Sequence, residues 1–203
     1  MYLTTSPRLL RWFMPRNLIW EIPKKERVLY FTFDDSPVAG VTDETLALLN
    51  KFNAKATFFC VGDNVRKHPK TFQRILAAGH TVGNHTFHHL NGWKTSTQDY
   101  VHDVQQCAKL VDSNLFRPPY GRITRRQASI LSKLYRIIMW SVLSGDFDPA
   151  VTADQCFKNV VRSARPGSVI VMHNNEHSAQ TMLSVLPKIL EYFRNKGFGF
   201  AEL

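Results

Sequence analysis

The sequence predicts an α/β fold in which parallel strands, joined by helical crossovers, form a closed or nearly closed barrel. Short β-rich runs alternate with stretches of helical periodicity along the chain, and no linker, internal repeat or low-complexity tract interrupts them. The β-rich runs are continuously apolar rather than alternating, which is typical of strands buried on both faces of a parallel sheet. Seven such runs favour a barrel over an open sheet, and the uniform composition favours a single domain.

The predicted elements follow one another without long gaps. The strands, rich in Val, Ile, Phe, Tyr and Thr, are expected at 28–33, 56–61, 81–84, 115–117, 137–142, 168–172 and 199–203. The helices are expected at 42–52, 69–78, 96–112, 124–134, 152–164 and 179–196. Thr42 and Thr152 stand where helices should begin, and Gly79 and Gly197 stand where helices should end.

Composition limits the possible partners. The 203 residues suit one domain with a substantial core, and the three cysteines, Cys60, Cys107 and Cys156, match neither a metal motif nor a disulfide framework. The formal charge of +10 is spread over small clusters without an aromatic-interleaved module, so nucleic acid is not an expected partner. Attraction to an acidic envelope or lipid surface explains the charge as well. We expect a monomer.

The N-terminal segment, residues 1–25, is basic and apolar and is set apart from the domain predicted at 26–203. It lacks the apolar core and the small-residue cleavage site of a secretory signal. It is either an interfacial segment that contacts a membrane or, the favoured interpretation, a flap over the bottom of the domain. No run approaches the ~20 apolar residues of a transmembrane helix, which favours a cytoplasmic or membrane-peripheral protein and leaves the compartment open.

Polar residues follow the predicted strands at the points where the strands end. They are Asp34 and Asp35, His85, Arg117, Asp146 and His173. In α/β barrels the active site forms at the carboxyl ends of the strands, so these side chains are expected to meet at one rim.

An acidic pair and a histidine pair predict a metal site at this rim. Two imidazoles and a carboxylate suit Zn²⁺ or Fe²⁺ and leave a coordination position open, while the second carboxylate stays available as a base. His85-x-x-x-His89, which follows a strand, supplies the imidazoles, and the equally spaced His173 and His177 are the alternative pair. The competing interpretation is a solvated acidic turn with two surface histidines.

Five motifs resemble those of the polysaccharide deacetylases with a NodB homology domain, carbohydrate esterase family 4. They are Thr32–Pro37 (TFDDSP), Asn84–His89 (NHTFHH), Arg117–Gly121 (RPPYG), the weaker Trp140–Phe147 and Val171–His173 (VMH). The resemblance covers residues 26–203 in the family's order. It implies a distorted (β/α)7 barrel and a metal-dependent hydrolase that removes N-linked acetyl groups from polysaccharides or oligosaccharides containing N-acetylglucosamine, such as peptidoglycan or chitin.

The resemblance also implies a ligand set and a base. Asp35, His85 and His89 would hold one divalent metal ion, most commonly Zn²⁺, with Co²⁺, Ni²⁺, Mn²⁺ or Fe²⁺ as alternatives. Asp34 would be the general base, positioned by Arg117. The chemistry agrees, because a bound cation polarises a carbonyl and acidifies water, and a nearby guanidinium keeps a carboxylate ionised.

The remaining implied roles concern the leaving group and the acetyl group. His173 would be the general acid with Asp146 as its partner, since an amine leaves poorly unless it is protonated. The backbone N–H of Tyr120 would help to hold the oxyanion. Met172 and Phe147 would line an apolar pocket for the acetyl methyl group.

Two departures from the family pattern and several alternatives stay open. Ser36 replaces the usual glycine and Phe147 the usual tryptophan, but neither change removes a catalytic atom, so an active enzyme is expected. Asp148 competes with Asp146 for its role. The alternatives are a hydrolase of a small non-sugar amide, a catalytically silent glycan-binding homologue and a mononuclear iron oxygenase; the predicted acid–base pairs argue against the last two. The glycan, including O-acetyl esters, is not identified by the sequence.

Overall fold

The structure, a computed structural model, describes residues 4–5, 14–23 and 25–203. About half of the predicted N-terminal segment, residues 1–3, 6–13 and 24, therefore lies outside the described residues, and with it the question of a membrane contact. The described residues fold as one parallel sheet with helices packed against it, which confirms the predicted α/β class and single-domain distorted barrel.

The sheet contains nine strands within the described part of the chain. They are β1 (Leu18–Ile19), β2 (Val28–Ser36), β3 (Ala56–Cys60), β4 (Thr81–Asn84), β5 (Leu115–Phe116), β6 (Arg136–Ile138), β7 (Val142–Leu143), β8 (Val169–His173) and β9 (Gly199–Phe200). Their order is β1-β6-β5-β4-β3-β2-β8-β7, with β9 paired to β2, and the paired strands are parallel.

The helices run between these strands. They are α1 (Val41–Lys51), α2 (Gly62–Lys67), α3 (Pro69–Ala77), α4 (Thr97–Ala108), α5 (Arg125–Leu131), α6 (Ala153–Ser163) and α7 (Glu176–Asn195). A short 3₁₀ turn covers Pro119–Gly121. Among the described residues, no helix combines the length and the apolarity that crossing a bilayer requires.

The strand predicted at 137–142 is divided in the structure. Its first part, β6, pairs with β5 and β1, whereas β7 pairs with β8 on the other side of the sheet. The segment 136–143 therefore runs from one end of the sheet to the other, and its two halves pair with different strands instead of forming one continuous strand. A uniformly apolar run does not reveal such a change. The helix α2 and the strand β1 were not predicted, since six and two residues are too short to display a period.

Side chains on β2 explain why the rim of the barrel is polar. Leu29, Phe31 and Phe33 are fully buried between the sheet and the helices. Tyr30, Thr32 and Asp34 alternate with them and face the inside of the barrel. Along this face the side chains become more polar: Tyr30 packs with Phe59 and Ile138, whereas Thr32 and then Asp34 follow toward the end of the strand. The inner face is thus apolar at the bottom of the barrel and polar where the strand ends.

A glycine on β4 makes room for the ring that supports this polar end. A Cβ atom at Gly83 would lie 2.6 Å from Cδ1 of Phe59 and 3.3 Å from Cβ of Leu115. The Phe59 ring in turn lies beneath the guanidinium of Arg117, 4.1 Å from its Cζ. The absence of a side chain at Gly83 therefore allows Phe59 to occupy the position on which Arg117 rests.

Substitution of Gly83 by alanine is expected to destabilise the fold by about 1–3 kcal/mol, because the added methyl group overpacks a closed interior. Gly199→Ala is the matched control, since a Cβ atom there meets nothing within 4 Å, and its effect should stay within about 0.5 kcal/mol. Urea-induced unfolding of the two variants measures the difference. Equal stabilities of the two variants would show that the side chains around Phe59 accommodate the added methyl group without loss of stability.

Candidate active site

Three potential metal ligands converge at the carboxyl ends of β2 and β4. Nε2 of His89 lies 3.1 Å and Nε2 of His85 lies 3.7 Å from Oδ1 of Asp35. The three ligand atoms lie within 4.8 Å of one another, and the described residues contain no second group of three such side chains at this spacing. His177, the alternative partner considered for His173, is exposed at the start of α7.

The carboxylate of Asp35 is prepared for a cation. Its Oδ2 accepts a 2.7 Å hydrogen bond from Nδ2 of Asn175, whereas Oδ1 is buried and accepts no well-aligned hydrogen bond, although His89 is near. Burial opposes ionisation, but the close imidazole of His89 and the charges of His173 and His85 hold the pKa of Asp35 well below its usual range. An ionised oxygen without a proton donor fits a metal ligand.

Both imidazoles are oriented from the side opposite the site. Nδ1 of His85 lies 2.8 Å from the carbonyl oxygen of Arg117, and Nδ1 of His89 lies 3.2 Å from Oη of Tyr120. Each ring therefore turns Nε2 toward Asp35, as outer hydrogen bonds do in metal sites. Burial lowers the pKa of His85 to about 4, so this ring is neutral near pH 7, which is the form that binds metals.

Asp103 on α4 holds the turn that carries the histidines. Its Oδ2 accepts hydrogen bonds from the backbone N–H groups of Phe87 and His88 at 2.7 and 3.0 Å, and its Oδ1 lies 2.6 Å from Nδ1 of His88. In this turn Thr86 and His89 have φ of 63° and 56°, which non-glycine residues rarely adopt. His88 thus points away from the site, while Asp103 was missed by sequence reasoning, because a lone aspartate inside a helix carries no motif.

Asp34 and Arg117 form the contact expected of them. Both side chains are buried, and Nη1 of Arg117 lies 2.6 Å from Oδ1 of Asp34 and 2.8 Å from Oγ1 of Thr32. The other oxygen, Oδ2 of Asp34, lies 3.9 Å from Nε2 of His85. One oxygen of Asp34 is therefore fixed by the guanidinium and the other faces the ligand cluster.

The guanidinium of Arg117 is held on every side. Its Nε donates to the carbonyl oxygen of Ile138 at 3.2 Å and its Nη2 to that of Met139 at 3.1 Å. Burial lowers the pKa of Arg117 and the charge of Asp34 opposes that shift. Because the usual value is so high, the side chain remains a cation.

A second acid–base pair joins β8 to the loop after β7. Asp146 is buried; its Oδ1 lies 2.9 Å from Nδ1 of His173, and its Oδ2 accepts the backbone N–H of His173 at 2.7 Å. Burial disfavours the imidazolium, but the charge and the hydrogen bond of Asp146 prevail and raise the pKa of His173 to about 9. Asp148 instead accepts from the backbone N–H of Ala150 in a turn, so it does not replace Asp146.

Asp34, His173 and the three potential metal ligands line one cavity of about 370 Å³, whereas Arg117 and Asp146 are not among its lining residues. Its lining residues are Asp34, Asp35, His85, His89, Tyr120, Arg122, Trp140, Leu143, Phe147, Val171, His173 and Asn175. The ring of Phe147 lies 4.9 Å from that of His173. Tyr120 has a φ of 59° and an exposed side chain against His89.

The prediction that Met172 lines the acetyl pocket is corrected. Met172 is fully buried between the sheet and the helices, where it pairs in register with Phe33. Because side chains alternate along β8, Val171 and His173 face the cavity and Met172 faces away. The apolar wall beside Phe147 consists of Trp140, Leu143 and Val171. The alternation of side chains on β8 could have indicated Val171 rather than Met172.

Comparison with known proteins gives consistent results. A family model described as polysaccharide deacetylase matches residues 21–135. A peptidoglycan-N-acetylglucosamine deacetylase of Bacillus cereus is 31% identical over 196 residues, which cover 91% of this chain and 90% of the relative. A chitooligosaccharide deacetylase of Azorhizobium caulinodans is 29% identical over 161 residues, 75% of this chain and 76% of that protein. The solved structure of the Bc1960 peptidoglycan N-acetylglucosamine deacetylase superposes with a TM-score of 0.86 at 30% identity, covering 98% of this chain and 95% of that one.

The ligand cluster predicts that the protein retains one divalent ion per chain after dialysis, measured by elemental analysis. His89→Ala removes one of three ligands and is expected to leave well below stoichiometric metal, an effect larger than the ~10–100-fold loss of affinity that follows removal of an outer-shell partner. His177→Ala, an exposed histidine on α7, is the control and should retain the metal. Stoichiometric metal in the His89 variant would reject this ligand set.

Proposed function

Because the chain belongs to the polysaccharide deacetylase family, we propose that it hydrolyses the N-acetyl group of N-acetylglucosamine residues in a polysaccharide or oligosaccharide and releases acetate. The observation that carries the proposal is the cavity in which the pairs Asp34–Arg117 and His173–Asp146 flank the cluster of Asp35 and the two histidines. The named relatives act on peptidoglycan and on chitooligosaccharides, whose common chemical feature is an N-acetylated glucosamine.

Asp35, His85 and His89 would hold one divalent ion, and two imidazoles with one carboxylate are a ligand set that suits Zn²⁺. Such an ion, when bound, supplies Lewis acidity that polarises an acyl oxygen and makes water easier to deprotonate. The backbone N–H of Tyr120 is proposed to donate to the same acyl oxygen as negative charge develops.

Asp34 is proposed to accept the proton of the attacking water. Its Oδ1 is occupied by Arg117, so Oδ2, on the side of His85, is the oxygen available for this proton. The guanidinium favours the ionised carboxylate and fixes its plane, which keeps the base in one orientation while water approaches.

His173 is proposed to protonate the leaving nitrogen. Asp146 occupies its Nδ1, so Nε2 is the atom left for the substrate. The raised pKa, about 9, keeps the imidazolium present near pH 7, where an amine must receive a proton to leave. A metal ion on Asp35 would offset part of that shift, but the contact with Asp146 would remain.

The walls of the cavity fit an acetylated sugar better than a small amide. Trp140, Leu143 and Val171 offer an apolar surface for the methyl group next to the acid–base pairs. At the rim, Tyr120 is 60% exposed to solvent and Phe147 is 37% exposed. Exposed aromatic rings can pack against the faces of sugar rings. A hydrolase of a small amide does not need the open aromatic rim, and a silent binding protein does not need two complete acid–base pairs.

The direct test is release of acetate from N-acetylated chitooligosaccharides and peptidoglycan fragments by wild type and Asp34→Asn. The variant is nearly isosteric and loses the proton acceptor, so turnover should fall at least ~10²–10⁴-fold. Metal content, measured in parallel, should change little because Asp35 supplies the ligand oxygen. Turnover like that of wild type in the Asp34 variant would remove this residue from the role of base.

The role of His173 predicts a dependence on the leaving group. His173→Ala should reduce kcat/KM on acetamido sugars far more than on activated aryl acetate esters, because a phenolate leaves without a proton and an amine does not. The informative quantity is the ratio of the two losses, read as transition-state free energies. Losses of equal size on both substrates would instead assign His173 to substrate binding or to the oxyanion.

A further inference from the structure

A cation and two aromatic rings form a surface at the rim of the cavity. Arg122 follows the Pro119–Gly121 turn and lines the cavity. Its Cζ lies 5.4 Å from the ring centroid of Trp93 and 6.0 Å from that of Tyr120. Trp93 is 61% exposed, so its ring is open to solvent. We call Trp93, Tyr120 and Arg122 the aromatic–arginine shelf.

The backbone beneath the shelf is fixed before any ligand arrives. A Cβ atom at Gly92 would lie 2.4 Å from the carbonyl oxygen of Arg122, so the two loops approach as closely as glycine allows. Nε2 of Gln127 donates to the carbonyl oxygen of Gly92 at 2.9 Å, and Nε1 of Trp93 donates to that of Ile123 at 3.3 Å. A preorganised surface of this kind binds without the entropic cost of ordering a loop.

The charge of Arg122 differs from the other charges of the cavity. Asp34 is paired with Arg117, and Asp35 with His89. Arg122 has no carboxylate within ion-pair distance among the described residues, which include all the Asp and Glu side chains of the chain. A guanidinium that lines the cavity, is placed by ring contacts and has no carboxylate within ion-pair distance is suited to an anionic group of a ligand.

We propose that the shelf is a subsite for a carboxylate carried by the sugar next to the acetamido sugar, so that the enzyme selects acidic glycans over neutral ones. The inference rests on the proposed function, which places the acetyl group between Asp34 and His173. The rings then contact the neighbouring sugar, and Arg122 pairs with its carboxylate. A lactyl ether on that sugar supplies such a group, whereas a chitin oligomer has none. The formal charge of +10 favours the same substrates.

The test uses two disaccharides that differ in one charge. The first joins N-acetylglucosamine to a sugar with a 3-O-lactyl carboxylate, and the second is its methyl ester. Binding by calorimetry and initial rates of acetate release are measured at fixed salt for wild type and Arg122→Gln. Wild type should prefer the acid about tenfold, as one charge-assisted hydrogen bond provides, and the ratio of acid to ester affinity within Arg122→Gln should fall to about one.

Two further variants sharpen the result. Arg125→Gln removes the same charge from an exposed position outside the cavity lining and should keep the preference. Arg122→Glu should reverse it, so that the ester binds better than the acid. Absence of a preference in wild type, or a preference that survives Arg122→Gln, overturns the inference.

The outcomes separate this inference from the proposed function. Equal acetate release from both disaccharides leaves the deacetylase function intact and rejects the subsite. Binding of the acid that depends on Arg122, without acetate release from any N-acetylated glycan, retains the subsite and rejects the deacetylase function.

Discussion

The buried ion pair between Asp34 and Arg117 is the contact on which the rest of the site depends. Removing one partner of such a pair costs about 3–5 kcal/mol, since the other charge stays uncompensated in the interior. Here the guanidinium bonds Asp34 and Thr32 on β2 and the carbonyl oxygens of Ile138 and Met139 at the end of β6. It therefore connects strands that are not neighbours in the sheet.

The ligand residues depend on supports of a different kind. Asp35 and His89 have φ of 68° and 56°, so neither would hold its position without help. The support comes from helices: Asp103 on α4 fixes the turn before His89, and Asn175, which caps α7 by accepting the N–H of Ser178, also holds the carboxylate of Asp35. Side chains on a helix face and at a helix terminus thus hold the residues with unfavourable φ angles in place.

These two kinds of support differ in how well they can be predicted from the sequence. Polar residues at strand ends are visible as breaks in apolar runs, so the meeting of Asp34 with Arg117 and of His85 with Asp35 was predictable. Contacts made by single residues from distant helices, such as Asp103, leave no local pattern. Met172 was misplaced because the motif places it beside His173, whereas alternation along β8 puts neighbouring residues on opposite faces. The division of the strand at 137–142 was hidden for a similar reason, since both halves are equally apolar.

The site consequently has two sets of residues that differ in how readily they can be substituted. The groups proposed for catalysis are buried and fixed by several partners, so a substitution among them disturbs both chemistry and packing. The groups at the rim, Tyr120, Arg122 and Trp93, are exposed and are placed by ring contacts and by the loops at Gly92 and Arg122. Exposed residues exchange at little cost to folding. The rim can therefore change without disturbing the buried groups, which is why the proposed choice between glycans is assigned to the loops rather than to the barrel.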